Sequence, residues 1–546
     1  MFRTSRRISA CALVESLEGR TLLAATSVSV VASIPSASES HRTTTGRGEF
    51  VFKRPTGDTT LPLEVRYAIN GESTATNGAD FDTLRGKVTI PAGKRSVAMN
   101  LFPINDSIHE SRETVIVSLK NQSTYIVGHR NAIVTISDND PVPTGPPAGW
   151  WDTGHHFRAP LTVNVGSIAR SEKTVEQAID FTTLLKQSGG TGPIVDASIR
   201  VIETNADGSQ VIDENVPFQF DKSASYNASS NASGTLVWLL KGSTSTNSTR
   251  YYHVYFDTAG SFAAFNFAPQ VTTDANASDE GMDAIEIDTL TAKYWLQKAN
   301  GGFSSIVDNS GNDWLGFNAT SGSQSGGEYR GTPNAVFPGG GFHAGFSSGS
   351  SVIINSGPLK TTIESTLSVD KQDGHAAYTY KMRYEIYGDH VTATMVHADS
   401  SYWFLYEGTP GGSIDSNDTV VRSDGTVSAI DAAWNEDSGL GHANGQEWAY
   451  FRDAGVGKYM YYVHNTPDSA KDSYYEMTTD AGSMTVFGFG RDNDAGGADH
   501  AKLTTQNNVF TFGIADGGGD FAASSEQING VYRALTMTTG AAQRIG

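Results

Sequence analysis

The sequence predicts an all-β protein: a small antiparallel sandwich, a second sandwich and a large two-sheet C-terminal region. Short apolar runs such as Val115–Ile116–Val117 recur between turn residues. The 58 glycines, with abundant Ser, Thr and Asn, supply those turns and leave helix a minor component. A length of 546 residues is several times that of one typical domain, so roughly three globular units are expected.

Lys and Arg number 39 against 59 Asp and Glu, a formal charge of −20. That field repels nucleic acid phosphates and anionic lipid, and favours neutral sugars, cations or basic partners. Cys11 is the one cysteine, which excludes an intrachain disulfide and a CxxC zinc or redox site. No apolar run approaches the eighteen or so residues of a membrane-spanning helix, so no transmembrane segment is expected.

The first 25 residues read as a targeting segment. Arg3, Arg6 and Arg7 precede a short apolar stretch that Glu15 interrupts. Residues Glu15–Ala24 resemble the Leu-Glu-Pro-Arg plus Leu-Leu motif near the N-termini of exported planctomycete proteins, with Gly19 where Pro usually stands. The resemblance implies a secreted or cell-surface protein; the alternative is a disordered tail.

Between residues 26 and 140 the segments Gly48–Phe52, Leu61–Ile69, Gly86–Ile90, Ser96–Phe102, Thr114–Leu119 and Ala132–Ser137 alternate apolar and polar residues between turns, as a small antiparallel sandwich requires. Ala75-Thr-Asn-Gly-Ala-Asp-Phe81, Gly86-Lys-Val-Thr-Ile-Pro-Ala-Gly93, Asn105-Asp106 with Glu110 and Glu113, and Val134-Thr-Ile-Ser-Asp-Asn-Asp140 follow one another in the order and spacing of the Calx-beta family. This stretch resembles that family, some of whose members bind calcium through carboxylates at one end of the sandwich. The resemblance implies Asp80, Asp106, Glu110, Glu113, Asp138 and Asp140 as the matching ligands. Asp and Asn at strand ends also form turns without any metal, and the module then serves adhesion, spacing or display.

Asp140–Gly149 contains four prolines and reads as an extended linker, 141–149. A second β-sandwich is expected over 150–275, from Phe157–Val165, Ala197–Glu203, Thr235–Leu240 and Tyr251–Phe256. Beyond it, Ala284–Leu296 and Gly301–Leu315, with its D-x-x-G-x-D-W turn, are followed by the long alternating stretches Gly357–Thr366 and Tyr378–Met395. Their layout over 280–546 resembles the galactose mutarotase-like supersandwich, a fold of aldose epimerases and of domains in polysaccharide lyases and glycosidases. The resemblance implies a carbohydrate-active region with a polysaccharide or glycan as partner.

Chemistry-bearing residues are densest from His397 through Asp399, Tyr402, Trp403, Phe404 and Tyr406 to Glu407. Aromatic faces stack on sugars while carboxylates and imidazoles address hydroxyls, so Trp403, Tyr402, Tyr406, Trp448 and Glu328 are candidate substrate-binding residues. Period-two alternation places Tyr402, Phe404 and Tyr406 on one face and Trp403, Leu405 and Glu407 on the other, and one face must be core. Glu407 with His343 or His397 would suit an epimerase or hydrolase. Tyr384 or His397 as base, with Arg330 or Arg452 beside a uronate carboxylate, would suit a lyase. Glu447 lies in a further cluster with Trp448, Tyr450 and Arg452, and His464 follows. Each of these residues also fits a structural role, and a non-catalytic adhesion or glycan-binding protein is the alternative. No GxSxG elbow, HExxH helix, P-loop or dinucleotide fingerprint occurs. Calcium is the one cofactor expected, and only as an option.

Overall fold

The computed structural model describes residues 26–39, 46–78, 80–105, 112–139, 149–317, 330–336, 341–346, 349–369, 377–436, 445–479, 482–493 and 499–545. The protein is all-β, with two α-helices among the described residues, and it divides into two compact units, 1–144 and 145–546. The targeting segment and most of the Pro-rich linker lie outside the described residues. No helix of the described residues is long and apolar enough to cross a membrane.

The first unit is a two-sheet sandwich. One sheet runs Ser96–Leu101, Gly48–Lys53, Ser27–Ile34, Ile126–Val127; the other runs Ser36–Ser38, Asn131–Ser137, Glu113–Leu119, Leu63–Ile69, Lys87–Ile90. Alternate residues of both sheets (Val28, Val30, Phe50, Phe52, Val115, Val117, Val134) fill the space between. Arg54 is buried, and its guanidinium is satisfied by carbonyls: Nε donates to Lys94 O at 2.8 Å, Nη1 to Leu61 O at 2.9 Å and Nη2 to Pro91 O at 2.8 Å. A donor fork of that shape fastens the Asp58–Leu61 loop to the Pro91–Lys94 turn.

The second unit holds two large apolar cores, one in each of two sandwiches. In the smaller sandwich, a sheet of Val211–Asp213, Arg200–Thr204, Thr249–Phe256 and Phe157–Asn164 packs over a three-stranded sheet of Arg170–Asp180, Ser233–Thr244 and Phe218–Lys222. Helix α1 (Phe181–Gln187) follows at once, its N-terminus capped by Asp180, whose Oδ1 accepts from Thr182 N at 2.9 Å.

The larger sandwich is two nine-stranded sheets with one aromatic-rich core between them. The first sheet runs Val271–Asp279, Met282–Thr289, Ala292–Gln297, Phe303–Asp308, Gly331–Asn334, Phe404–Gly408, Gly482–Phe489, Asp472–Thr479, Trp434–Glu436. The second runs Gly349–Ser356, Lys360–Val369, Tyr378–Tyr387, Val391–Ala398, Asn508–Asp516, Lys458–His464, Glu447–Asp453, Asp418–Arg422, Val427–Ala429. Helix α2 (Phe521–Tyr532) lies on the outer face of this second sheet, with Ile528 packed in the cluster of Trp448, Tyr450 and Tyr459.

Two boundaries differ from the sequence reading. Val271–Asp279 belongs to the large sandwich, and the C-terminal strands Thr536–Thr539 and Gln543–Arg544 leave it to pair with Phe157–Asn164 of the smaller one. An alternating strand does not announce which sheet it joins, so neither exchange is visible in the pattern.

The two sandwiches meet at a buried lysine. Lys360 Nζ lies 2.8 Å from Glu176 Oε1, 3.0 Å from Glu385 Oε1 and 3.5 Å from Asp221 Oδ2. Burial opposes its charge, but the carboxylates of Glu385 and Glu176 outweigh that and hold the ammonium pKa above its ordinary value. Gln219 clamps the same strand: its Oε1 accepts from Leu359 N and Lys360 N at 2.8 and 2.9 Å. Nearby, Arg170 donates to Asn529 O and Arg533 O at 3.0 Å each, and Lys173 Nζ to Val531 O at 2.7 Å. Two cations of the small sandwich thus cap the C-terminal carbonyls of α2, where the helix dipole favours positive charge. Replacing Lys360 by Met should destabilise the second unit by ~2–4 kcal/mol, less than a fully buried pair costs because Glu176 and Glu385 are about a quarter exposed. Denaturant unfolding of wild type and K360M checks this; unchanged midpoints would refute it.

Candidate functional site

Strand Phe404–Gly408 is buried along its length, and alternation divides its side chains between two faces. Phe404 and Tyr406, with Tyr402 just before them, point into the core between the sheets; Phe404 stacks on Phe510 at 4.2 Å and Tyr406 on Tyr462 at 4.9 Å. Their hydroxyls are spent inside, Tyr402 on Thr505 O at 2.6 Å and Tyr406 on Trp314 O at 2.8 Å. Trp403, Leu405 and Glu407 take the opposite face, where Glu407 remains 9% exposed.

Gly331 is the cross-strand partner of Glu407, and Asn334 that of Leu405, with an irregularity between them. That irregularity lets Asn334 Nδ2 donate to Glu407 Oε1 at 3.1 Å. The loop after Gly341 returns His343 to the same carboxylate, Nε2 to Oε2 at 2.7 Å. His343 Nδ1 lies 2.8 Å from the Ala344 carbonyl, which can only accept, so Nδ1 carries a proton. The 2.7 Å contact between Nε2 and Oε2 is then the path along which a proton passes between the two groups. Arg330 precedes the strand partner of Glu407 and donates to Gly316 O at 3.0 Å and Ser483 O at 3.3 Å. The result is a carboxylate oriented by two side chains, with a proton on its partner and a guanidinium one residue from its neighbour strand, which is equipment for proton transfer.

The other sequence candidates lie elsewhere. Tyr384 is buried in the core, its hydroxyl donating to Gly301 O at 2.6 Å, and burial pushes its pKa well above that of a free phenol. It is no accessible base. His397 stands exposed on the second sheet, 3.1 Å from Asp399 Oδ1. Arg452 is on the outer face of that sheet against Gly518 and Gly519. Trp448 is fully buried beneath α2, its Nε1 on Gln446 Oε1 at 2.8 Å. Tyr402, Trp403, Tyr406 and Trp448 are all 3% exposed or less, so the expectation that they stack on a sugar is corrected: each ring packs against protein instead. Glu328 lies outside the described residues.

Of the six carboxylates aligned with calcium ligands, Asp106, Glu110 and Asp140 lie outside the described residues. The register brings the other three to one end of the first unit. Glu113 opens the strand that pairs with Ile136, two residues before Asp138, and Ala75 N donates to Thr114 O at 3.1 Å, anchoring the turn that holds Asp80. Sequence reasoning left a further group unassembled, Glu447 with His464, Asp468 and Asp472. Asp468 and Asp472 had drawn no attention, although the hairpin that pairs Glu447 with His464 is marked by its Asp453-Ala-Gly-Val-Gly-Lys458 turn.

No family model matches the chain, and no curated protein does. Among solved structures, a protein in the glycosyl hydrolase family 38 from Enterococcus faecalis is similar over 70% of this chain at 12% identity, with a TM-score of 0.38. The chain spans 47% of that protein, just under half its length. The apo-form Calx CBD1 domain covers 21% of this chain and is itself covered over 98%, at 21% identity and TM-score 0.17. The calcium binding domain CBD12 of CALX1.1 covers 42% of this chain and is covered over 75%, at 16% identity and TM-score 0.17. Likeness at these scores does not bear on what this chain does.

Buried carboxyls elsewhere in the large sandwich give it a pH signature. Asp418 is buried, its Oδ2 accepting from Asp415 N at 2.8 Å while Oδ1 meets no hydrogen-bond partner among the described residues. Burial, with the Asp453 and Asp415 carboxylates adding to it, pushes its pKa up to about 7. A carboxyl raised on folding stabilises the fold while protonated, so its contribution is present at low pH and lost as pH rises from about 4 to about 7, by about 1.4 kcal/mol for each unit of the displacement. Thermal melts should therefore show wild type losing stability relative to D418N across that window. Parallel pH profiles of the two proteins would contradict it.

Proposed function

We propose that the chain is an exported, glycan-directed protein whose large sandwich performs acid–base chemistry on a polysaccharide at Glu407, with His343 as proton partner. The observation that carries this reading is the 2.7 Å Glu407–His343 contact on the face turned away from the aromatic core. Of the two toolkits, the carboxylate–imidazole one is assembled; Tyr384 is locked in the core, and His397 and Arg452 sit on the other sheet, away from the Glu407–His343 pair. That supports hydrolytic or epimerising chemistry over elimination beside a uronate.

The purified protein, offered a panel of plant and marine polysaccharides, should release reducing ends without unsaturated uronates, and E407Q should lower kcat by about 10²–10⁴-fold. A signal from unsaturated uronates, or turnover undiminished in E407Q, would end the assignment.

A second reading, a non-catalytic adhesion protein, is favoured by the burial of Tyr402, Trp403, Tyr406 and Trp448, which leaves none of these rings to stack on a sugar. It expects no turnover on any polysaccharide of the panel.

The first unit, in this proposal, is a Calx-beta-like spacer or adhesive module that takes calcium through Asp80, Glu113 and Asp138 at one end, with Asp106, Glu110 and Asp140 assigned by sequence alone. Hard carboxylate oxygens suit that ion. Millimolar calcium should raise the melting temperature of wild type by preferential binding to the folded state, and D138N should blunt the rise. Equal shifts in the two proteins would remove the assignment.

A further inference from the structure

Away from Glu407, the larger sandwich gathers ionisable groups where its two sheets come together at one end. Glu447 begins one strand of the second sheet and His464 ends its neighbour, the two facing each other as cross-strand partners. The chain then turns through Asp468 and enters the first sheet at Asp472. Asp468 N donates to Glu447 Oε2 at 2.9 Å, and Gly490 N to Asp472 Oδ1 at 2.8 Å. Glu447, His464 and Asp472 are each 0% exposed, whereas Asp468 is exposed.

The hydrogen-bond accounting here does not close. His464 Nε2 lies 2.7 Å from Asn508 Oδ1, an acceptor, so Nε2 carries the ring proton and Nδ1 presents a lone pair. That lone pair faces Glu447 Oε2 at 3.1 Å, acceptor against acceptor. Glu447 and Asp472 lie against each other as carboxyls that share a side-chain hydrogen bond, and Glu447 Oε1, Asp472 Oδ2 and His464 Nδ1 meet no donor from any other described residue. No Lys or Arg among the described residues is seen to pair with Glu447, Asp468 or Asp472; nearby Lys471 and Lys502 both reach Asp492, at 3.3 and 3.1 Å. Buried polar atoms without partners are rare in folded proteins, and a single bound cation would engage these together.

We infer that Glu447, His464 and Asp468 form a site for a divalent first-row transition ion of the zinc or manganese class, with Asp472 behind Glu447. One ligand atom from each of the three residues lies within 4.8 Å of the others, a spread that one ion can bridge. An imidazole nitrogen among carboxylates suits those ions, whereas calcium takes oxygen ligands. The ring is already fixed as a ligand: Asn508 sets its tautomer, and Phe510 stacks on it at 4.9 Å. A surface pocket of about 400 Å³, lined by Asp468–Lys471 and Lys502–Thr505, opens on the Asp468 side of the group. The site does not depend on the glycan reading.

The test uses the full chain, stripped with a chelator and titrated calorimetrically with Zn²⁺, Mn²⁺ and Ca²⁺, alongside D468N. Asp468 is on an exposed turn, so the variant keeps the fold, and matching melts of the two stripped proteins verify that. Wild type is expected to bind one equivalent of Zn²⁺ or Mn²⁺ that D468N binds at least about tenfold more weakly. Cobalt substitution should give a visible-range spectrum in wild type that D468N weakens. Equal transition-metal affinity in the two proteins, or no binding at millimolar metal, overturns the site. Calcium binding that D468N abolishes overturns the assigned class of ion.

Discussion

One ammonium group governs how the second unit holds together. Lys360 Nζ sits among Glu176 and Asp221 from the smaller sandwich and Glu385 from the larger, so each sandwich supplies charge that the other must balance. Removing the cation would leave three carboxylates in a poorly hydrated seam, which is why the contact acts as a constraint on assembly. Gln219 fixes the lysine's own backbone, and Arg170 and Lys173 fasten α2 close by, so the seam is made of directional polar contacts. Such contacts specify one arrangement of the two bodies where apolar contact alone would tolerate several.

Inside the larger sandwich, aromatic packing allocates the surfaces. The rings of Phe404, Tyr406, Phe451, Tyr462, Phe487, Phe510 and Phe512 form a continuous layer between the sheets. Because these large side chains demand the interior, the ionisable residues that alternate with them are turned outward or to the ends. Glu407 is turned to the opposite face of the first sheet, whereas Glu447 and His464 share the inward side of Phe451 and Tyr462 and sit at the end of the aromatic layer, where His464 stacks on Phe510.

The all-β character was legible from alternation and turn residues, because a period of two survives in any half-buried strand. Strand Phe404–Gly408 shows where legibility stops. Its two faces were separable in sequence, but Tyr402-Trp-Phe-Leu-Tyr406 is apolar on both, so nothing local marked the inner one. The pairing of Glu407 with His343 rather than His397 depends on a loop closing 64 residues earlier, a distance over which pattern carries no information. The burial of Trp448 has a similar cause: α2, some 70 residues later, covers a face that the strand alone would leave open. At Glu447 the sequence did hold a local clue, since a hairpin about Gly455–Gly457 fixes which residues oppose each other.

The return of Thr536–Thr539 to the edge of Phe157–Asn164 has a consequence for biosynthesis. Leu161 finds its partner in Thr539, so the donor and acceptor groups along that edge stay unsatisfied until the chain has emerged through Thr539. At ribosomal speeds this interval lasts on the order of tens of seconds. Throughout it the nascent protein carries an adhesive β-edge open to neighbouring chains, and strand Thr536–Thr539 acts as the clasp that shields it.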